Sequence, residues 1–103
     1  MARRRFTGPG STTSFRLDNC PQGTLRGAAE RHMANRISWT LAGYCGRERV
    51  DVVVVYHGYD FWFGAVYVDE RSVGSWEGTE LEVLEAVVSA LMMEGIMDPE
   101  VGA

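Results

Sequence analysis

The sequence predicts an α+β domain, a small antiparallel sheet packed with two helices in the order α-β-β-β-α. Three observations point there. Apolar residues recur every three or four positions from Leu25 onward; residues 50–76 hold β-branched and aromatic runs broken by turn formers; and Thr79 with Glu82 opens a second helix. At 103 residues and 46% apolar content the chain can build one core and is too short for two.

Residues 1–22 hold Gly8-Pro9-Gly10, the run Ser11-Thr12-Thr13-Ser14 and Pro21, the composition of a flexible basic arm, in which Ser14-Phe15-Arg16-Leu17 is a short edge-strand candidate. The single domain is then expected over residues 23–98, with 99–103 as a tail. Thr24 is a plausible N-cap for a helix reaching about Tyr44, with Leu25, Ala28, Ala29, Met33, Ile37, Leu41 and Tyr44 on one face. Ile37, Trp39 and Leu41 also alternate with Ser38 and Thr40, which is a strand pattern. The helix is the preferred reading of residues 36–45; as a strand they would bring the sheet from three strands to four.

Val50–His57 is a nearly continuous β-branched run and reads as a central strand. Gly58-Tyr59-Asp60 turns the chain into Phe61–Val68, its hairpin partner, and Asp69–Ser72 turns it again into a short edge strand at Val73–Trp76. Thr79 and Glu82 form a capping box, so the last helix is expected from Glu80 to about Glu94, ending at Gly95.

These elements carry more apolar faces than one core needs. In the second strand Phe61, Phe63, Ala65 and Tyr67 point one way, and Trp62, Gly64, Val66 and Val68 the other; Val52, Val54 and Tyr56 similarly oppose Val53, Val55 and His57. The last helix is apolar over most of its circumference, with Met92 and Met93 near its end. Two helices cover one face of such a sheet well, so an exposed apolar face that takes a partner is expected, most simply in a homodimer.

Charge is divided along the chain. Residues 1–49 carry nine Arg against three acids, a formal +6, and residues 50–103 carry Arg71 against eleven acids, a formal −10. That polarity raises the prior for a charged partner. All ten basic residues are Arg, and Gly, Ala and Val are abundant, the bias of a GC-rich coding sequence such as that of a bacterium or its phage.

Chemistry-bearing patterns are weak. Cys20 and Cys45 lie 25 positions apart without metal-site or CxxC spacing, so free thiols are expected over a bridge. His57 with Asp60 at a hairpin tip could form a base with an orienting carboxylate, and either Cys would complete a nominal Cys/His/Asp set, but the spacing supports no catalytic or metal site. Without Lys there is no phosphate loop of the G-x-x-x-x-G-K-[ST] type. No cofactor is expected. No apolar run reaches the ~18 residues of a membrane span, and Met1-Ala2-Arg3-Arg4-Arg5 is not followed by an apolar stretch, so a cytoplasmic protein is expected.

The functional expectation is a non-enzymatic protein–protein interaction module. Its partner surface would use Tyr59, Trp62, Tyr67 and Trp76 as aromatic anchors, with Glu70, Glu77, Glu80 and Glu85 supplying charge complementarity. Size and charge alone place it beside small phage- or bacterium-encoded inhibitors or modulators of larger proteins, nucleic-acid-handling ones included. The alternatives are a nucleic-acid binder using Arg26, Arg31, Arg36, Arg47 and Arg49, and a small enzyme centred on His57 and Asp60.

Overall fold

In the computed structural model, residues 10–14 and 20–98 are described. The elements are β1 (Gly10–Ser14), β2 (Cys20–Pro21), α1 (Gln22–Ala34), β3 (Ser38–Cys45), β4 (Glu48–Gly58), β5 (Phe61–Val68), β6 (Arg71–Gly78), α2 (Glu80–Met93) and β7 (Met97–Asp98). The fold is α+β: β3 to β6 form an antiparallel meander between the two helices, and β1 pairs parallel with β3 to give the order β1-β3-β4-β5-β6. Parallel pairing needs a crossover, and α1 lies in it. A two-residue parallel bridge joins β2 to β7. The segments Gly10–Ser14 and Cys20–Pro21 of the expected arm are therefore strands. Residues 1–9 and 15–19 of that arm, and the expected tail 99–103, lie outside the described residues.

The first helix departs from the sequence expectation at both ends. It starts at Gln22, two residues before Thr24, and stops at Ala34, so residues 38–45 are strand β3 and not helix. The stop is a Schellman motif: Ile37 N–H donates to the His32 carbonyl (3.0 Å), Arg36 N–H donates to the Met33 carbonyl (2.9 Å), and Arg36 takes the left-handed conformation, φ 60°. Asn35 Nδ2 donates to the Arg31 carbonyl at 2.9 Å and satisfies another terminal acceptor. Beyond that point alternation wins, because Trp39 and Leu41 reach the core as alternate residues of a strand.

The remaining elements follow the sequence closely. β5 spans Phe61–Val68 as expected, and β6 extends from the expected Val73–Trp76 to Arg71–Gly78. The β4–β5 and β5–β6 hairpins turn on Tyr59-Asp60 and Asp69-Glu70, all four residues at φ between 51° and 66°, as in type I′ turns. The capping box of α2 is formed: Glu82 N–H donates to Thr79 Oγ1 (3.3 Å) and Thr79 N–H donates to Glu82 Oε1 (2.9 Å). Gly95, at φ 76°, closes a second Schellman motif and turns Ile96 into the core.

One core joins both helices to one face of the sheet. Leu25, Ala29 and Met33 of α1 and Val83, Leu84, Val87, Val88 and Leu91 of α2 meet Trp39, Leu41, Val50, Val52, Val54, Trp62, Val66 and Val68. The strand members are alternate residues, and the register Trp39↔Val54, Leu41↔Val52 and Val50↔Val68 places them on the same side. α2 sits close against the sheet at Gly64: a Cβ there would lie 2.6 Å from Val83 Cγ1.

Candidate functional site

Because both helices lie on one side, the other side of the sheet has no helix over it among the described residues. Alternation assigns its members as Thr40, Ala42 and Tyr44 of β3, Arg49, Asp51, Val53, Val55 and His57 of β4, Phe61, Phe63, Ala65 and Tyr67 of β5, and Ser72, Ser75 and Glu77 of β6. Phe61 is 43% and Tyr44 55% exposed, His57 and Glu77 are exposed, and Val55, Phe63 and Tyr67 are half-buried. Ala65 sits low between Phe63 and Tyr67, with Val53 opposite it, and both Ala65 and Val53 are buried.

The face is apolar at one end and polar at the other. At the apolar end His57 leans on the Phe61 ring, centroids 5.8 Å apart, beside Val55 and Phe63. At the polar end Arg49 bridges to Asp51 Oδ1 (3.3 Å from Nη2) and lies over the Tyr44 ring (5.8 Å). Hydrogen bonds to the Asp51 carboxylate, and secondarily to Tyr44, hold the Arg49 guanidinium above its ordinary pKa, and burial opposes them weakly. The strand pair continues into the next turn, where Arg49 N–H donates to Asp69 Oδ1 (2.9 Å) and Asp69 N–H donates to the Arg49 carbonyl (2.7 Å).

The residues singled out from sequence fall in several places. Trp62 is 1% exposed, on the helix-covered side, with Nε1 donating to Asp60 Oδ1 at 3.3 Å. As a core residue it cannot anchor a partner. Trp76 is on the same side and packs against the core. Tyr67 and Glu77 lie on the side of the sheet opposite the helices, Tyr59 and Glu70 in the two I′ turns, and Glu80 and Glu85 on α2. Glu85 is paired with Arg26 of α1 at 3.1 Å. The eight residues therefore form no single patch.

The Arg set is equally divided. Arg26 and Arg31 are on α1, Arg36 follows it, and Arg47 and Arg49 sit at the opposite end of β3, about 25 Å from Arg36 at the rise of a strand. Arg36 is held locally, donating to Tyr56 Oη (3.4 Å) and lying over that ring (5.9 Å).

His57 and Asp60 face different neighbours, Phe61 and the Trp62 indole. Cys45 is a free thiol, so it makes no bridge to Cys20. Paired with Glu48 at the start of β4, it lies about 30 Å along the strand from His57. The nominal Cys45/His57/Asp60 set is not assembled. Among the described residues no group of three or more His, Cys, Asp or Glu is placed to hold a metal ion, and no helix is long and apolar enough to cross a membrane.

Sequence reasoning passed over Tyr44, Val55 and Phe61 as partner contacts. A signal for them was present: Gly64 marks the face on which a helix approaches, so the residues of opposite parity in β5 are the ones left outside. No family model matches this chain, and no curated protein or solved structure matches it.

Proposed function

We propose that this chain is a non-catalytic protein–protein interaction module that docks through the exposed apolar residues on the side of the sheet opposite the helices. The observation that carries this reading is the placement of both helices on one side, which leaves Phe61 exposed beside half-buried Val55 at one end of the other side and Tyr44 exposed at the opposite end. Exposed aromatic side chains of this kind recur at contact sites and supply much of their energy. The test introduces charge where only association should notice it. Val55→Asp and Phe61→Glu, made singly, should keep the wild-type far-UV spectrum and abolish protein contacts captured by cross-linking in cells. Undiminished contacts in both folded variants refute the reading.

A second reading, docking to a larger protein as an inhibitor or modulator, draws on Tyr59. That ring is fully exposed at a turn tip with φ 54°, a strained setting for a bulky residue and one that recurs at functional sites. With the acidic outer side of α2 (Glu82, Glu85, Glu94), it suits a basic, pocketed partner. Tyr59→Ala should then remove that partner and leave contacts through Val55 intact.

A further inference from the structure

We propose that α1 is a lid: it lifts from β3 as a unit while the meander β3–β6 and α2 stay folded, and so bares Trp39 and Leu41. The lid is on the helix side of the sheet, apart from the docking residues named above, and stands or falls separately from them.

α1 is weak as a helix. Its 13 residues fall in the range, about 12–15, below which helices are marginal without tertiary support. Gly27 lies in its interior, where glycine disfavours the helix about fivefold relative to alanine. Packing does not call for glycine there, since a Cβ would meet only Arg31 Nη1, at 3.9 Å. The first turn of α1 holds no acidic residue, whereas α2 has its capping box with Glu80 and Glu82 in the first turn.

The attachments of α1 are few. Leu25, Ala29 and Met33 enter the core from α1, against Val83, Leu84, Val87, Val88 and Leu91 from α2. Arg26 reaches Glu85 of α2 at 3.1 Å, but Glu85 is exposed, and ion pairs in that setting add little. Ahead of the helix, the chain is tied by the two-residue bridge of β2 to β7.

The closed state also carries two local costs. Trp39 Nε1 is buried without a hydrogen-bond partner, and the His32 ring of α1 stacks on the indole at 6.0 Å. Arg36, just past the helix, is held at φ 60°. When α1 lifts, the indole N–H meets water and Arg36 relaxes. The rest of the core keeps its contacts: α2 retains its seat at Gly64 against β5 and β6, and Val50↔Val68 and Val52↔Val66 stay in register. The surface uncovered on β3 is apolar with a single indole donor, closed to solvent in the ground state and open in a minor one.

Native-state hydrogen exchange of the full chain, read amide by amide across sub-denaturing urea, tests the lid. The amides of Ala29, Glu30 and Met33 should follow one shared isotherm, with a urea slope well below that of Val52, Val54 and Val66, which open only on global unfolding. Val53 is buried on the face away from the helices and lies outside the core they share, so Val53→Ala separates the two openings. It should lower the protection of Val52, Val54 and Val66 about tenfold and leave that of Ala29, Glu30 and Met33 unchanged. Gly27→Ala should raise the protection of the three α1 amides about fivefold. Protection in α1 that falls in step with β4 in Val53→Ala overturns the proposal, as does a global urea slope for the α1 amides. Exchange of those amides one by one, without a shared isotherm, or indifference to Gly27→Ala, overturns it as well. Should Val53→Ala not fold, the wild-type urea slopes decide alone.

Discussion

Gly64→Ala tests the seating of α2 on one side of the sheet, the feature that distinguishes its two faces. A methyl group at this position would lie 2.6 Å from Val83 Cγ1 and 3.3 Å from Val87 Cγ2. Carbon atoms in contact prefer about 3.5–4.0 Å, so the overlap with Val83 is roughly 1 Å. Val83 is fully buried and, as a β-branched residue in a helix, has one strongly preferred rotamer, so it cannot swing aside. The helix must lift. Overpacking of this kind costs about 1–3 kcal/mol, with about 2 expected here. For a domain of this size that is a fall in Tm of about 8–16 °C. The assay is urea unfolding followed by far-UV circular dichroism, at fixed protein concentration because association adds to apparent stability. Val83→Ala alone should cost about 2 kcal/mol for two lost methyl groups and their cavity. Combined with Gly64→Ala, it makes room for the new methyl, and the double variant should be at least about 1 kcal/mol more stable than the sum of the singles. A Gly64→Ala effect within about 0.5 kcal/mol of zero, the range of an ordinary surface change, or strict additivity with Val83→Ala, would show that α2 does not press on this face. The two faces would then lose that distinction.

Two further predictions concern the core and the turns. Trp39 Nε1 is buried without a hydrogen-bond partner, whereas the Trp62 indole donates to Asp60; Trp39→Phe removes an unsatisfied donor and should cost at least about 1 kcal/mol less than Trp62→Phe in the same unfolding assay. Asp69 and Glu70 both occupy left-handed conformations in a type I′ turn, so the pair Asp69→Asn and Glu70→Gly should stabilise the protein by about 1 kcal/mol, the Asn oxygen still accepting from Arg49 N–H; destabilisation would refute the turn assignment.

The parts of the fold that sequence made legible are those whose local signals agree. Thr79 and Glu82 announce α2, Phe61–Val68 alternates cleanly, and the turns around it are rich in Gly, Asp and Glu. The end of α1 was hidden because its left-handed residue is Arg36 and not a glycine. Gly46, at φ 63°, belongs to the β3–β4 turn. Once β3 is read as helix, Tyr44 joins an apolar helix stripe, and its place opposite Arg49 on the sheet is lost from view. In the candidate site, the doubling of apolar faces was legible, and both helices do pack on one of them. Residue type misled about which face that is. Trp62 and Trp76 are strong anchor types, yet strand parity puts both beneath the helices.

The polar end of the face opposite the helices bears on what a partner there must present. A uniformly apolar sheet surface is an aggregation hazard and would accept many partners in many registers. Here β4 carries Arg49 and Asp51 in an otherwise valine-rich strand, and the two satisfy each other at 3.3 Å with the Tyr44 ring beneath the guanidinium. The pair adds little as a half-exposed ion bridge. Its effect is on selectivity, because any partner must arrive with polar groups opposite Arg49 and apolar ones opposite Val55 and Phe61.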